Sequence, residues 1–275
     1  MLERFSKSYR IINKEKFVEK LINFSVDQDY FILLNSNNNS DKYDLLCGYG
    51  VKSFIKSSEN SLTKLDNFFE LKKDWLFGYM TYDLRNEIEV LNDDNIDFIN
   101  MPNLYFFQPE IVWFVKGKNV TGLSFEKDLI DNDWKKFNEI SEKEKTENSN
   151  IVKLNLRNSK SEYINKVNKI KERIFRGDCY EMNFCFDLFS EYDEINPYDT
   201  YVKLNNYTKS PMSSFLKVND LFLISSSPER FLSKNGEDII SQPIKGTAKR
   251  GDNPEKDKKN INELLSSPKE LSENH

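Results

Sequence analysis

Three short segments in the second half of the chain carry side chains that could do chemistry. The segment "GDCYEMNF" holds Glu181, "SSSPERFL" holds Glu229, and "SQPIKGTAKRG" holds Lys245, sixteen residues after Glu229. A neutral lysine amine is a nucleophile, although burial or a neighbouring cation must first lower its pKa. A carboxylic acid can protonate the leaving group of the same reaction. Taken one at a time, each segment is more typical of an ordinary turn or of the solvent face of a strand.

The scarce residue types exclude several kinds of site. The only histidine is His275, which excludes Ser-His-Asp triads, Cys-His pairs and His-based zinc sites within this chain. The three cysteines, Cys47, Cys179 and Cys185, have no CxxC spacing, and this favours a reduced, cytoplasmic location over a disulfide framework. The sequence contains no GxGxxG or GxxxxGK[ST] motif, which weakens nucleotide-binding hypotheses.

The composition is that of a soluble globular protein. Hydrophobic residues make up 38% and aromatic residues 13% of the 275 residues, which is enough for a sizeable core. The net charge is −5 and no basic stripe stands out, so we expect no nucleic-acid partner. No run approaches eighteen apolar residues, and the charged N-terminus has no signal-peptide core, so we expect no membrane association.

The order of the elements that must position these side chains predicts an α+β fold. In the first half, four segments are rich in aromatic and aliphatic residues, as strands are: 29–36, 43–50, 74–84 and a hairpin that turns at 117–119. A helix follows, from the capping box of Ser159 and Glu162 to a cap at Gly177. The later strand-like runs are 182–189, 220–227, 230–236 and 237–244. A helix followed by several strands, without βαβ alternation, does not suggest a Rossmann fold.

A polar, charged stretch divides the chain. The segment "SEKEKTENSN" (141–150) has no apolar periodicity, which is typical of a linker or an exposed excursion. We therefore predict an N-terminal region at 1–140, a linker at 141–152 and a second region at 153–275.

In combination and order, the segments resemble the signature series of the chorismate-utilising enzymes. This family includes anthranilate synthase component I, aminodeoxychorismate synthase component I and the isochorismate and salicylate synthases. The series is "RGDCYEMNF", "SSSPERFL", "QPIKGTAKRG" and "LSSPKELSEN", and "WLFGYMTYDL" and "MPNLYFFQPEIVWF" resemble family segments upstream. The resemblance implies a large two-sheet sandwich with outer helices, incomplete in this chain. Residues 1–140 would be the anthranilate synthase component I-like region, and 153–275 the first part of the chorismate-binding domain.

One position points to a branch of this family. Anthranilate synthases typically carry alanine in the "PI-x-GT" motif and aminodeoxychorismate synthases typically carry lysine, and here the residue is Lys245. The resemblance implies that chorismate and ammonia are converted to 4-amino-4-deoxychorismate, in the p-aminobenzoate and folate route. Lys245 would be the nucleophile at C2, and Glu229 would protonate the departing C4 hydroxyl. Anthranilate synthase component I, or another chorismate enzyme, is the nearest alternative.

The resemblance also implies ligands and a partner. Gly246 and Thr247 would bind the substrate, through close backbone approach and a hydroxyl. Arg250 would bind a substrate carboxylate, although a solvated basic turn explains Lys249 and Arg250 equally well. Glu273 in "LSEN" matches a family ligand of Mg²⁺, an ion that takes few protein groups. A separate glutamine amidotransferase subunit would supply ammonia, because the lone histidine leaves no amidotransferase Cys-His pair in this chain.

Two positions depart from the family pattern. Glu181 stands where the family usually has glutamine, and a carboxylate near a dianionic substrate is unfavourable unless it is paired or turned away. Ser36 ends "ILLNS", which resembles the segment where some relatives bind tryptophan, but Asn35 replaces the usual acidic residue. Ser36 is therefore a candidate for a structural or regulatory tryptophan pocket, with an ordinary strand end as the alternative.

Chains of this family continue well beyond the "SEN" segment. The resemblance thus implies that a second magnesium carboxylate and much of the core sheet follow residue 275. The residues fit this expectation, because "PKELSENH" begins a helix at Ser267-Pro268 and the sequence stops after about two turns; a frayed tail is the other explanation. Taken as a whole molecule, we expect the chain to be inactive and poorly stable. The non-enzyme alternative is a truncated relative that serves as an inactive binding module.

Overall fold

The computed structural model describes residues 3–40, 42–89, 91, 96–140, 152–191 and 195–274, with the side chains of 273 and 274 excepted. The chain divides into two compact units, one of Met1–Ser141 with Tyr201–His275 and one of Glu142–Thr200. Except for residue 152, the predicted linker at 141–152 lies outside the described residues. The boundaries at 140 and 153 stay a prediction.

Strands and helices alternate irregularly along the chain. The strands are β1 (Phe5–Arg10), β2 (Tyr30–Asn35), β3 (Leu45–Tyr49), β4 (Ser53–Ser57), β5 (Phe77–Met80), β6 (Leu104–Gln108), β7 (Ile111–Lys116), β8 (Asn119–Ser124), β9 (Asn155–Leu156), β10 (Leu188–Phe189), β11 (Met212–Val218), β12 (Leu221–Ser227), β13 (Arg230–Asn235) and β14 (Asp238–Gln242). The helices are α1 (Lys14–Phe24), α2 (Ser61–Lys72), α3 (Lys127–Glu139), α4 (Lys160–Phe175), α5 (Pro197–Thr208), α6 (Pro254–Ser266) and α7 (Pro268–Asn274).

Two antiparallel sheets pack face to face in the larger unit. The larger sheet has seven strands in the order β1-β8-β7-β3-β2-β11-β12, and the smaller has three in the order β4-β6-β5. Their shared core is made of aliphatic residues from the large sheet and aromatic residues from the small one: Ile32, Val112, Leu216, Val218, Phe77, Tyr79, Tyr105 and Phe107. Each such side chain stabilises the fold by about 1.5–3 kcal/mol through burial. The predicted α+β sandwich is confirmed.

Helices cover the other face of the large sheet. Side chains alternate along β2, so that Ile32 faces the small sheet while Phe31 packs on Phe215 at 6.1 Å between ring centroids. On this helical side, the ring of Phe137 in α3 packs on Phe24 and Trp113, with centroid distances of 5.0 Å and 5.3 Å. Within the part of the chain that the structure describes, no helix has the length and apolar character needed to cross a membrane.

Some sequence predictions of single elements need correction. The helix with the Ser159 capping box is confirmed as α4, and Gly177 follows it at a φ of +80°. The predicted strand at 74–84 is shorter, because only Phe77–Met80 is extended and Tyr82–Glu87 forms a 3-10 helix. The predicted strand at 182–189 is wrong except for Leu188–Phe189. Its aromatic residues pack instead on Tyr163 of α4. The ring centroid of Tyr163 lies 5.4 Å from that of Phe184 and 5.7 Å from that of Phe186.

Candidate active site

A β-hairpin brings the two segments that hold Glu229 and Lys245 together. The hairpin joins β13 to β14 through a turn in which Gly236 has a φ of +62°. Its register pairs Arg230 with Gln242, and the Arg230 Nε donates a hydrogen bond to the Gln242 Oε1 at 3.1 Å. Because the strands are antiparallel, the residues just before Arg230 meet those just after Gln242.

The Glu229 side chain is bonded to the backbone beside Lys245. The Ile244 N–H donates to Glu229 Oε1 at 3.2 Å. At the other end of the residue, the Glu229 N–H donates to the Ser227 Oγ at 3.2 Å. The carboxylate is exposed to solvent. The Glu229 carboxylate is thus bonded to the backbone of the residue that precedes Lys245, although Glu229 and Lys245 lie sixteen residues apart in sequence.

The loop at Lys245 and Gly246 lies against α7. Gly246 has a φ of +74°, a conformation that side chains other than glycine rarely adopt. Lys245 and Gly246 are half-buried, whereas Thr247 is exposed. A carboxylate from α7, that of Glu270, lies against Gly246, so that a Cβ at this position would be 1.9 Å from the Glu270 Oε2. Glu270 was not among the residues predicted from the sequence, although it lies three residues before Glu273 and hence on the same helical face.

Arg250 lies in a separate contact with α6. Its Nε and Nη2 donate to the Asp257 carboxylate at 2.8 and 2.6 Å, and the guanidinium side chain is 87% exposed. The hydrogen bonds from Arg250 and from the Gly251 N–H hold the pKa of Asp257 below its ordinary value. The Asn260 Nδ2 donates to the Lys249 carbonyl at 2.7 Å. This loop is thus docked on α6, and the substrate role of Arg250 stays a prediction.

The magnesium prediction concerns Glu273, which lies in α7. Its side chain lies outside the described residues. Among those that are described, no three His, Cys, Asp or Glu side chains are grouped so as to hold a metal ion. Mg²⁺ is commonly bound by one or two carboxylates together with the substrate, so Glu273 alone would supply part of such a set.

Ser36 and Glu181 lie away from the hairpin in sequence and have different surroundings. Ser36 is buried, and its Oγ and N–H both donate to the Asp44 carbonyl, at 3.1 and 3.0 Å. A cavity of about 110 Å³ lies beside the adjacent residues Asn35 and Asn37, but Ser36 does not line it. A tryptophan pocket at Ser36 stays a prediction. Glu181 is exposed and belongs to the smaller unit, in the irregular segment after α4.

Comparisons with known proteins give relatives from more than one branch. The chain is 31% identical over 116 residues to aminodeoxychorismate synthase component 1 of Escherichia coli strain K12, covering 42% of this chain and 25% of the relative. It is 29% identical over 209 residues to anthranilate synthase component 1 of Lactococcus lactis, covering 71% of this chain and 46% of the relative. These matches thus span between a quarter and about half of the relatives' length.

Solved structures have the same fold at low sequence identity. Anthranilate synthase component I from Streptococcus pneumoniae TIGR4 superposes with a TM-score of 0.67 at 20% identity, over 89% of this chain and 58% of that one. The menaquinone-specific isochorismate synthase of Escherichia coli superposes with a TM-score of 0.58 at 11% identity, over 99% and 62%. The model of the chorismate binding enzyme family matches residues 25–275, nearly the whole chain, and the chain therefore belongs to that family.

Proposed function

We propose that this chain is part of an aminodeoxychorismate synthase, which converts chorismate and ammonia to 4-amino-4-deoxychorismate and water. The observation that carries the proposal is the hydrogen bond from the Ile244 N–H to the Glu229 carboxylate at 3.2 Å. This bond supports the proposal because it joins the candidate acid to the residue before Lys245, and a nucleophilic amine and a proton donor are the two groups that the reaction needs. The relatives' names do not separate the branches, so the choice of branch rests on Lys245.

The reaction balances with these two side chains. The neutral Lys245 Nζ attacks C2 of chorismate, the two conjugated ring double bonds shift from C1=C2 and C5=C6 to C1=C6 and C4=C5, and the C4–O bond breaks. Glu229 donates the proton with which the C4 hydroxyl leaves as water. Ammonia then attacks C4, both double bonds shift back, and the bond between Lys245 and C2 breaks. The ammonium group formed at C4 returns a proton to the Glu229 carboxylate. The product is 4-amino-4-deoxychorismate, and Lys245 returns to its amine form.

Neighbouring groups would bind the substrate. Gly246 would contribute its backbone, which the Glu270 carboxylate approaches closely on one side, and Thr247 would contribute an exposed hydroxyl. Arg250 would bind a substrate carboxylate with N–H donors other than the two that hold Asp257, since a guanidinium has five. Mg²⁺, with Glu273 as one ligand, would neutralise a substrate carboxylate when bound.

Ammonia would come from a glutamine amidotransferase subunit. The relative named aminodeoxychorismate synthase component 1 implies, by its name, a second component for that protein. The lone histidine at position 275 leaves this chain without a Cys-His pair for glutamine hydrolysis. The proposal places the product upstream of p-aminobenzoate and folate.

Product analysis tests the proposal. The protein is expressed from the longest open reading frame that contains this chain and is incubated with chorismate, Mg²⁺ and ammonia. We expect 4-amino-4-deoxychorismate, and we expect Lys245→Ala to reduce its formation at least about 10³-fold, because the nucleophile is lost. Lys249→Ala is the matched control and should stay within about threefold of the unmodified enzyme.

Two results would contradict the proposal. Formation of anthranilate without an added lyase would assign the protein to the anthranilate branch. Full activity of Lys245→Ala would exclude a covalent role for that lysine.

A further inference from the structure

We propose that Arg230 and Gln242 are positioning residues for Glu229, and that they act across a β-bulge in the hairpin of β13 and β14. The inference rests on the proposed function, because it concerns the placement of the acid that the function requires. No role was predicted for either residue from the sequence, and both enter through the register of the hairpin.

The bulge lies between two parts of that register. On the turn side, Ser233 pairs with Ile240, and at the far end Arg230 pairs with Gln242. Between these pairs lie two residues of β13 and a single residue of β14, Ser241, and this two-against-one arrangement is a β-bulge. The Ser241 Oγ donates a hydrogen bond to the backbone carbonyl of the first bulged residue at 3.4 Å. The bulged segment is therefore bonded to the opposite strand.

The bulge decides which residue Arg230 faces. If the pairing of Ser233 with Ile240 continued without a bulge, Arg230 would stand opposite Pro243. A proline has no N–H to donate to the strand ladder, which makes that register unfavourable. With the bulge, Arg230 stands opposite Gln242, and directly opposite side chains in an antiparallel pair are close enough to interact. The bulge and Pro243 thus favour the same register.

The Arg230–Gln242 pair closes the end of the hairpin beside the acid. The Arg230 Nε donates to the Gln242 Oε1 at 3.1 Å. Glu229 directly precedes Arg230, and its Oε1 accepts the N–H of Ile244, two residues after Gln242, at 3.2 Å. Strand ends fray readily, so a bond between side chains at the last pair limits opening at the point where the carboxylate is held. A displacement of about 1 Å at a reacting group can cost 10²-fold in rate.

A double-mutant cycle tests whether Gln242 acts through Glu229, in the protein from the full reading frame. Gln242→Ala should reduce kcat about tenfold, because the end of the hairpin opens and the acid is displaced. Chorismate affinity, measured by equilibrium binding, should change less than about twofold. In a Glu229→Gln background, Gln242→Ala should cost less than about twofold in kcat, because no acid remains to be positioned. A tenfold loss in that background, or an affinity that falls together with kcat, would overturn the proposal.

Conservative variants test the hydrogen bond itself. Gln242→Glu keeps an acceptor for the Arg230 guanidinium and should stay within about threefold of the unmodified kcat. Gln242→Leu has a similar size but no acceptor, and it should be as impaired as Gln242→Ala. Lys234→Ala removes another cation of β13 and is the matched control, with kcat expected within about twofold. The proposal is wrong if Gln242→Leu retains full kcat or if Gln242→Glu is as impaired as Gln242→Ala.

Hydrogen exchange at the Ile244 amide separates this inference from the proposed function. Measured by mass spectrometry at single-residue resolution, it should be at least about fivefold faster in Gln242→Ala, because the end of the hairpin opens. Exchange at the Ile240 amide, on the turn side of the bulge, should be unchanged. If the Ile244 amide exchanges equally fast in both proteins, the positioning role fails. If exchange changes as expected but Glu229→Gln retains full kcat, only the proposed role of Glu229 fails.

Discussion

Replacement of Glu229 by glutamine separates its proton-donating role from its structural one. In the structure, Glu229 Oε1 accepts one hydrogen bond, from the Ile244 N–H at 3.2 Å. The amide oxygen of glutamine can accept the same bond, so the free energy of unfolding should change by less than about 0.5 kcal/mol. A glutamine cannot donate a proton to a departing hydroxyl in the same way. We therefore expect kcat to fall by about 10²–10⁴, equivalent to about 3–5 kcal/mol in the barrier.

The assay combines steady-state kinetics with urea unfolding of the same preparations. Glu229→Ala should lose the activity and also about 1 kcal/mol of stability, because the Ile244 N–H loses its acceptor. Glu237→Gln, in the turn of the same hairpin, is the control and should change neither quantity measurably. A Glu229→Gln enzyme with unchanged kcat would refute the assignment of Glu229 as the acid.

Two further predictions concern the sandwich. Asp74 is ion-paired with Arg4 at 2.7 Å with little exposure, and Asp74→Asn should lower the free energy of unfolding by about 2–3 kcal/mol at pH 7 in urea melts. Burial raises the Asp74 pKa, but the hydrogen bonds from Arg4 and Gln108 outweigh it and leave the pKa below its ordinary value. The stabilisation is thus complete above the unfolded pKa of about 3.9 and is lost as the pH falls through the folded pKa; a stability difference that grows as the pH is lowered below about 3.9 would contradict this. Gly78→Ala would place a Cβ 1.9 Å from the Tyr105 carbonyl oxygen and should cost about 3 kcal/mol. Gly117→Ala, which meets no atom within 4 Å but has a φ of +59°, should cost about 1 kcal/mol, and equal losses would contradict the steric explanation.

The sequence predicted those parts of the fold that local patterns encode. The strand at 29–36 and the hairpin turning at 117–119 follow from alternating apolar residues and turn residues, and both are present as β2 and as β7 with β8. The helix α4 follows from its capping box. The run at 182–189 misled the prediction, because aromatic residues that favour strands also pack well on a helix, as Phe184 and Phe186 do on Tyr163.

The site was predictable only as a set of segments. The order of the signature motifs identified Glu229 and Lys245, and the hairpin register explains why Glu229 is bonded to the residue before Lys245. Gly246 and Glu270 are separated in sequence by a loop and by the helix α6, and no local sequence pattern encodes their contact. The ion pair of Arg250 with Asp257 likewise depends on the docking of a loop on α6. Such contacts are set by tertiary packing and can be identified only from the three-dimensional structure.

The covalent intermediate on Lys245 is the most direct test of the proposed function. The protein from the full reading frame is incubated with chorismate and Mg²⁺ without ammonia, acid-quenched, digested and analysed by mass spectrometry. We predict that the peptide containing Lys245 gains the mass of chorismate less one water, and that added ammonia removes this adduct. A Lys245 peptide that stays unmodified with chorismate and Mg²⁺ in the absence of ammonia, or an adduct on another residue, would contradict the proposal.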